Sequence, residues 1–292
     1  MKIGFLTSVL GDQPLDDVVD HAAKMGFATL EVGCGSHLKE LDGLSRLVQR
    51  ASDAGITING LNVPGTVLAP DPAQAEHTRE TLGEALQAAV AAGVPHVVSL
   101  GGRNPQHSEQ DDYLELADAV NSLVTPVLGQ PVRLLFENWP GGRNDFVATT
   151  PAGWDRLFEL APSDQVGLTF DPSHLVRLGI DHEEAYRRFA GRVFAVHGKD
   201  TEIFAERLQE VGWMGRDWWT YRLPGRGRIN WAHLLSLLSS SGFSGPINIE
   251  HEDPDWGGSG RAPLDLRLGG LRAGLGFLRS METLTDVGRE RA

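Results

Sequence analysis

Four strand-like segments of the chain each end in a side chain that can bind a divalent metal. They are RLLFEN at Glu137, VGLTFDPSH at Asp171, VFAVHGKD at His197 and GPINIEHED at Glu250. A single apolar run ending in a polar residue is an ordinary strand meeting a loop. Four in succession that compose one ligand set predict a metal site. Three carboxylates and one imidazole make a set dominated by oxygen donors, which suits Mn²⁺, Mg²⁺ or Co²⁺ better than a structural zinc. One divalent ion is expected, Mn²⁺ foremost, with Mg²⁺, Co²⁺ or Zn²⁺ as alternatives. Such an ion leaves positions open for a sugar carbonyl and an adjacent hydroxyl, polarises the carbonyl and stabilises the enediolate formed when the α-proton leaves. Glu137 and Glu250 are the expected catalytic acid–base pair. Proton return to the opposite face gives an epimerase, return to the neighbouring carbon an aldose–ketose isomerase, and loss of a β-hydroxyl a dehydratase. The spacing leaves these three open.

Further residues fall beside the four. His174, three positions beyond Asp171, is expected to reach a substrate hydroxyl or a second metal. Lys199 is placed to hold a sugar oxygen, with Asp200 orienting it or the metal shell. His251 and Glu252 flank Glu250, and strand alternation turns at least one away, so neither is given a role. Trp139, Trp213, Trp218, Trp219, Tyr221 and Trp256 fall in presumed mouth loops, where aromatic rings stack on sugars or close a lid. Arg222, with Arg143, Arg226 and Arg228, is a candidate for a phosphate or carboxylate, although no compact anion motif is present. Arg103 and His107 are similarly placed. Trp154 and Trp231 read as core, and His21, His37, His77, His96, His182 and His233 as surface or helix residues.

These side chains need elements that bring them together. Eight strands are expected, at 2–7, 29–33, 56–62, 96–102, 133–138, 166–171, 193–198 and 246–251, with helical stretches between them. In LDDVVDHAAKMG, for example, Leu15, Val18, Val19, Ala22 and Met25 recur at helical spacing. Glycines 26, 55, 93, 191 and 242 stand where helices should stop, and Thr149-Thr150 before Pro151 are capping candidates. Strict alternation implies a parallel sheet. Eight units in 292 residues favour a closed (β/α)₈ TIM barrel, a single domain with its core at about 2–280, over an open sheet. No G-x-G-x-x-G follows the first strand, which weakens a dinucleotide-binding reading. In a barrel the C-terminal strand ends share one mouth, so ligands spread over more than a hundred residues converge. The segment 200–228 reads as a long loop without structure at that mouth, a place where loops are functional or mobile.

Composition narrows the partners. Hydrophobic residues make up 41% and charged residues 22%, enough for a large core. A net charge of −13 argues against nucleic acid and against an anionic membrane surface, which both need a basic footprint. The single cysteine, Cys34, forms no intramolecular disulfide and fits a reducing cytoplasm. The start, MKIGFLTSVLGDQP, does not read as a signal peptide, and no stretch approaches the ~18 apolar residues of a membrane span. The expected partner is a small sugar or polyol.

The segments F-E-N (136–138), F-D-P-S-H (170–174), V-H-G-K-D (196–200), L-P-G-R-G-R-I-N-W (223–231) and I-E-H-E-D (249–253) resemble the xylose isomerase-like TIM-barrel superfamily, the sugar phosphate isomerase/epimerase group, over about 2–280. The resemblance implies one divalent metal, often Mn²⁺, on Glu137, Asp171, His197 and Glu250. It also implies an acid–base role for the two glutamates and substrate contact by His174. Dimers or tetramers are usual in that family, so a homo-oligomer is a further expectation. The chain departs from ketose 3-epimerases at Arg143 and Ile203, where they carry a glutamate and an arginine. Its H-x-K-D form is closer to the inosose dehydratase-like branch, which keeps a dehydratase of a keto-inositol or related keto-polyol as the alternative. Endonuclease IV-like nucleases resemble the site at Glu137, Asp171, His174, His197 and Glu250. They need further histidines after the third and fourth strands, where this chain has Leu61-Asn62 and Gly101-Gly102, so a DNA-repair nuclease is the remote reading.

Overall fold

The computed structural model describes residues 1–38, 40–258 and 261–289. Ten strands lie among them: β1 (Lys2–Leu6), β2 (Thr29–Gly33), β3 (Thr57–Leu68), β4 (His96–Gly102), β5 (Arg133–Glu137), β6 (Val166–Phe170), β7 (Val193–Gly198), β8 (Asp200–Ile203), β9 (Trp219–Arg222) and β10 (Pro246–Ile249). Eight pair in parallel and close on themselves in the order β1-β10-β7-β6-β5-β4-β3-β2, while β8 and β9 form a separate antiparallel pair. The helices are α1 (Leu15–Met25), α2 (Leu44–Asp53), α3 (Pro72–Ala92), α4 (Glu109–Val124), α5 (Pro151–Leu160), α6 (Pro172–Leu178), α7 (His182–Phe189), α8 (Ala205–Val211), α9 (Trp231–Ser240) and α10 (Leu264–Arg289). This is the expected single α/β barrel. The main departure is at 200–228, read as unstructured: it holds β8, α8 and β9, an excursion with its own hydrogen-bonded ladder.

Local chemistry explains the boundaries. Asp71, Ser108, Thr150, Asp181 and Asn230 cap the N-termini of α3, α4, α5, α7 and α9 with side-chain oxygens, each satisfying amides that the first turn leaves free. Gly26, Gly55, Gly93 and Gly242 take the left-handed conformation expected after a helix. Gly191 instead lies inside a short 3₁₀ turn after α7. Strand β3 runs on to Leu68, beyond the expected 62, because Thr66 and Leu68 resume pairing with β4 after an irregularity. Trp154 and Trp231 are fully buried, as expected.

The barrel interior is set by the two-residue period of strands. The register pairs Val98 with Leu135 and Glu137 with Thr169, and Asn248 with His197. Val98, Leu135 and Ala195 form a small apolar cluster of their own. One period further along their strands, Glu137 and His197 point the same way. Strands β2, β3 and β10 bring a polar layer into the interior as well. Asn59 donates to Thr29 (2.6 Å) and to Asn248 (2.9 Å), and Asn248 donates back to Asn59 (3.0 Å). This layer leaves no room on β1: a Cβ on Gly4 would lie 2.4 Å from the Thr29 carbonyl and 2.7 Å from Asn248 Oδ1.

Candidate metal and active site

The C-terminal ends of β5, β6, β7 and β10 deliver the predicted side chains to one place. Among the described residues, Glu137, Asp171, His174 and Glu250 each offer a donor atom, all within 4.8 Å of one another. Asn138 sets the first two. It donates to the Asp171 carbonyl and accepts from the Asp171 amide, both at 2.8 Å, so the F-E-N segment clasps the end of β6. Asp171 Oδ1 then caps α6 by accepting from Ser173 N at 2.8 Å. This short helix was not foreseen in D-P-S-H. It carries His174 back over the cluster, with Nε2 3.0 Å from Glu137 Oε1 and Nδ1 2.8 Å from the Tyr221 hydroxyl.

His197, the imidazole expected among the ligands, stands beside that group and not in it; the imidazole that converges with the three carboxylates is His174. His197 Nδ1 is 3.1 Å from Glu250 Oε2 and 3.8 Å from Glu137 Oε2. Its Nε2 faces Glu31 at 3.2 and 3.3 Å. Glu31, on β2, also accepts from Asn62 (2.8 Å) and Asn248 (2.9 Å). Burial opposes its charge, but His197 and these donors hold its carboxyl below the usual range. An ionised carboxylate only accepts, so Nε2 keeps its proton and donates it to Glu31, and Nδ1 is the nitrogen that can lose its proton. Burial disfavours charge on His197, yet Glu31, Glu137 and Glu250 together keep it protonated well above the ordinary range.

Lys199, one period beyond His197, also turns inward and is 1% exposed. Its Nζ is 2.6 Å from Glu250 Oε2, 3.0 Å from Glu252 Oε2 and 3.2 Å from Asp171 Oδ2. The Tyr221 ring lies 4.5 Å from it. Burial and the Lys199 charge hold His174 neutral, well below its usual range. Burial, with the Glu250 charge, lifts Glu137 to about 7. Burial also presses on Glu250, but Lys199 and His197 outweigh it and keep that carboxyl ionised well below the usual range. Two neighbouring glutamates therefore lean to opposite protonation states. A cavity of about 130 Å³ adjoins Glu250 and Glu252.

The donor set fits a divalent ion. Asp171 Oδ2 and His197 Nδ1 are buried and make no hydrogen bond, although charged groups lie nearby. Buried polar atoms are rarely left so, and both are lone-pair donors once His197 gives up its Nδ1 proton. Glu137, Asp171, Glu250 and an imidazole would hold the ion; both His174 and His197 are within reach of it.

Other expectations are redirected. Arg222 is not free for a substrate anion: it bonds Glu202 (2.8 Å) and Asp253 (3.0 Å) and pairs with Asp255 (2.8 Å). Arg226 pairs with the same two aspartates. Asp200 orients neither Lys199 nor the cluster. It accepts from the amides of Thr201, Gly225 and Ile229 and from Trp231 Nε1, which staples the 223–231 segment to β8. Trp139 leaves the end of β5 half-buried and packs edge-on against Phe146. Trp218 is buried and Trp213 exposed. Glu252 does reach the cluster while His251 turns to the Trp256 carbonyl, as the alternation about Glu250 demands. His96, expected at the surface, is 7% exposed. The residues not anticipated are Glu31, Asn62 and Asn248. Their signal was present as polar side chains at inward positions of otherwise apolar strands.

A family model for the xylose isomerase-like TIM barrel matches residues 19–281. The chain belongs to that family. This member is 27% identical to an uncharacterized protein, YfiH, of Bacillus subtilis (strain 168), over 87% of this chain and 93% of that protein. It is 28% identical to an inosose dehydratase of Clostridium perfringens over 50% of this chain and 49% of that protein, about half of each. Among solved structures, an L-ribulose 3-epimerase superposes with a TM-score of 0.75 at 17% identity, covering 99% of this chain and 96% of the other. At that identity the likeness is one of fold.

Proposed function

We infer that this family member is a divalent-metal-dependent isomerase or epimerase of a sugar, sugar phosphate or keto-sugar. The carrying observation is the pair Glu137 and Glu250. They stand on strands three places apart in the ring of eight and bring their carboxylates into one cluster. A bound divalent ion supplies the Lewis acidity that makes the proton beside a carbonyl removable. Glu250, ionised, is suited to take that proton. Glu137, on the other side of the cluster, is suited to return one. His174 and Tyr221 bound the site on the α6 side and offer polar atoms to substrate hydroxyls, and Lys199 offers an ammonium to a substrate oxygen.

The second reading, a dehydratase of a keto-inositol or other keto-polyol, is favoured by Lys199. A buried ammonium held between Glu250 and Glu252 is suited to donate to a β-hydroxyl as it departs, and the similarity to an inosose dehydratase agrees with it. The discriminating experiment incubates the protein with Mn²⁺ and a panel of ketoses and keto-inositols in D₂O. The first reading predicts deuterium beside the carbonyl in an epimer or isomer of unchanged composition. The second predicts a product lighter by one water. Glu137→Gln and Glu250→Gln should each slow exchange by about 10²–10⁴-fold. No exchange and no water loss with any member of the panel would sink both.

A further inference from the structure

Lys199 sits against the atoms proposed to hold the metal. Its Nζ contacts Glu250 Oε2 at 2.6 Å, Asp171 Oδ2 at 3.2 Å and His174 Nε2 at 3.4 Å. These are side chains of three of the four residues whose donor atoms converge. A carboxylate oxygen can serve an ammonium and a divalent ion together only if the two cations stand side by side, which like-charge repulsion in a buried site opposes. The same ammonium has a partner that belongs to none of those donors: Glu252 Oε2, at 3.0 Å, on a side chain 44% exposed. The ring of Tyr221, 4.5 Å away, offers a second resting surface.

We propose that Lys199 is an internal competitor for the metal site. It is a tethered cation that yields Asp171 and Glu250 when a divalent ion binds and is retained by Glu252, which turns it toward the substrate side of the cluster. Metal loading and the placing of Lys199 are then one event, with Glu252 as the landing carboxylate. The inference rests on the metal-site reading above and adds the coupling to it. It follows from the two-residue spacing at and just past the ends of β7 and β10, which sets Lys199 beyond His197 and the landing group Glu252 beyond Glu250.

The test is a calorimetric titration of the metal-depleted full chain with Mn²⁺ alone, on wild type, Lys199→Met, Glu252→Gln and the double variant. Competition predicts that Lys199→Met binds Mn²⁺ at least tenfold more tightly. It predicts that Glu252→Gln binds more weakly, since the ammonium loses its alternative partner. It also predicts that the Glu252→Gln effect largely disappears when Lys199 is already replaced. A simple loss of negative charge near the ion would weaken binding equally in both backgrounds, so an additive cycle overturns the proposal. Equal or weaker binding by Lys199→Met also overturns it. Should Lys199→Met fail to fold, Lys199→Gln takes its place. Glu252 is half-exposed, and Glu252→Gln alone must still weaken binding. Absence of Mn²⁺ binding by wild type and Lys199→Met alike, both folded by circular dichroism, overturns the metal reading itself and the coupling with it. That result is distinct from binding without coupling.

Discussion

Glu31 fixes which nitrogen of His197 faces the carboxylates, and this can be tested apart from turnover. Glu31→Ala removes the acceptor for Nε2–H, frees the ring to change tautomer and takes away the carboxylate that Asn62 and Asn248 share. Metal affinity should fall by about 10–100-fold. Glu31→Gln keeps one acceptor oxygen and should lose less. Equal Mn²⁺ affinity for wild type and Glu31→Ala by titration would remove Glu31 from the site. The candidate ligands Glu137, Asp171 and Glu250 could be read from the chain because each closes an apolar run. Glu31 gave only the weaker signal of one charge inside an apolar strand, since TLEVG runs past it to glycine and its partners lie up to 217 positions away. Arg222 shows the converse limit. A charge in a mouth loop reads as available, and only the folded chain brings Glu202, Asp253 and Asp255 against it.

At the scale of elements, the β8–α8–β9 excursion forms one wall of the site, and Asp200 pins the segment that follows it back onto β8. Asp200 is fully buried and receives four donors, the last two being Ile229 N at 3.1 Å and Trp231 Nε1 at 3.2 Å. A Cβ on Gly227 would lie 2.2 Å from its Oδ1. Asp200→Ala leaves those donors unsatisfied and should cost roughly 3 kcal/mol in denaturant unfolding. It should also open the 205–222 region to proteolysis before the barrel. Unchanged stability would show that the segment is held elsewhere. The barrel strands were legible because apolar β-branched runs alternate with helical spacing. The excursion was not. Its strands are four residues each and half-buried at most positions, so neither period is long enough to register. Helix α6 was hidden by Pro172, which reads as a loop until Asp171 is seen capping it.

For the molecule as a whole, burial leaves a pH signature on two histidines outside the donor set. His96 and His251 are each held down to about 4 by burial, and each has a ring nitrogen without a partner. Between about pH 6.5 and 4 the unfolded chain takes up protons that the native chain refuses. Stability is therefore full at neutral pH and falls as pH drops through that window, by up to about 3 kcal/mol per histidine. His96→Gln should flatten this limb of stability against pH in urea titrations, and an unaltered slope would contradict the assignment. No helix among the described residues is long and apolar enough to cross a membrane. The expectation of a closed barrel holds at this scale, because eight parallel strands have few ways to cover both faces.

The most direct test of the central claim is bound metal per chain, by elemental analysis, for wild type and Glu250→Gln prepared side by side and loaded with Mn²⁺. The account predicts roughly one divalent ion per wild-type chain, as a single ligand set allows, and loss of most of it in the variant. A wild-type protein that holds no Mn²⁺, Mg²⁺, Co²⁺ or Zn²⁺ after addition would contradict it.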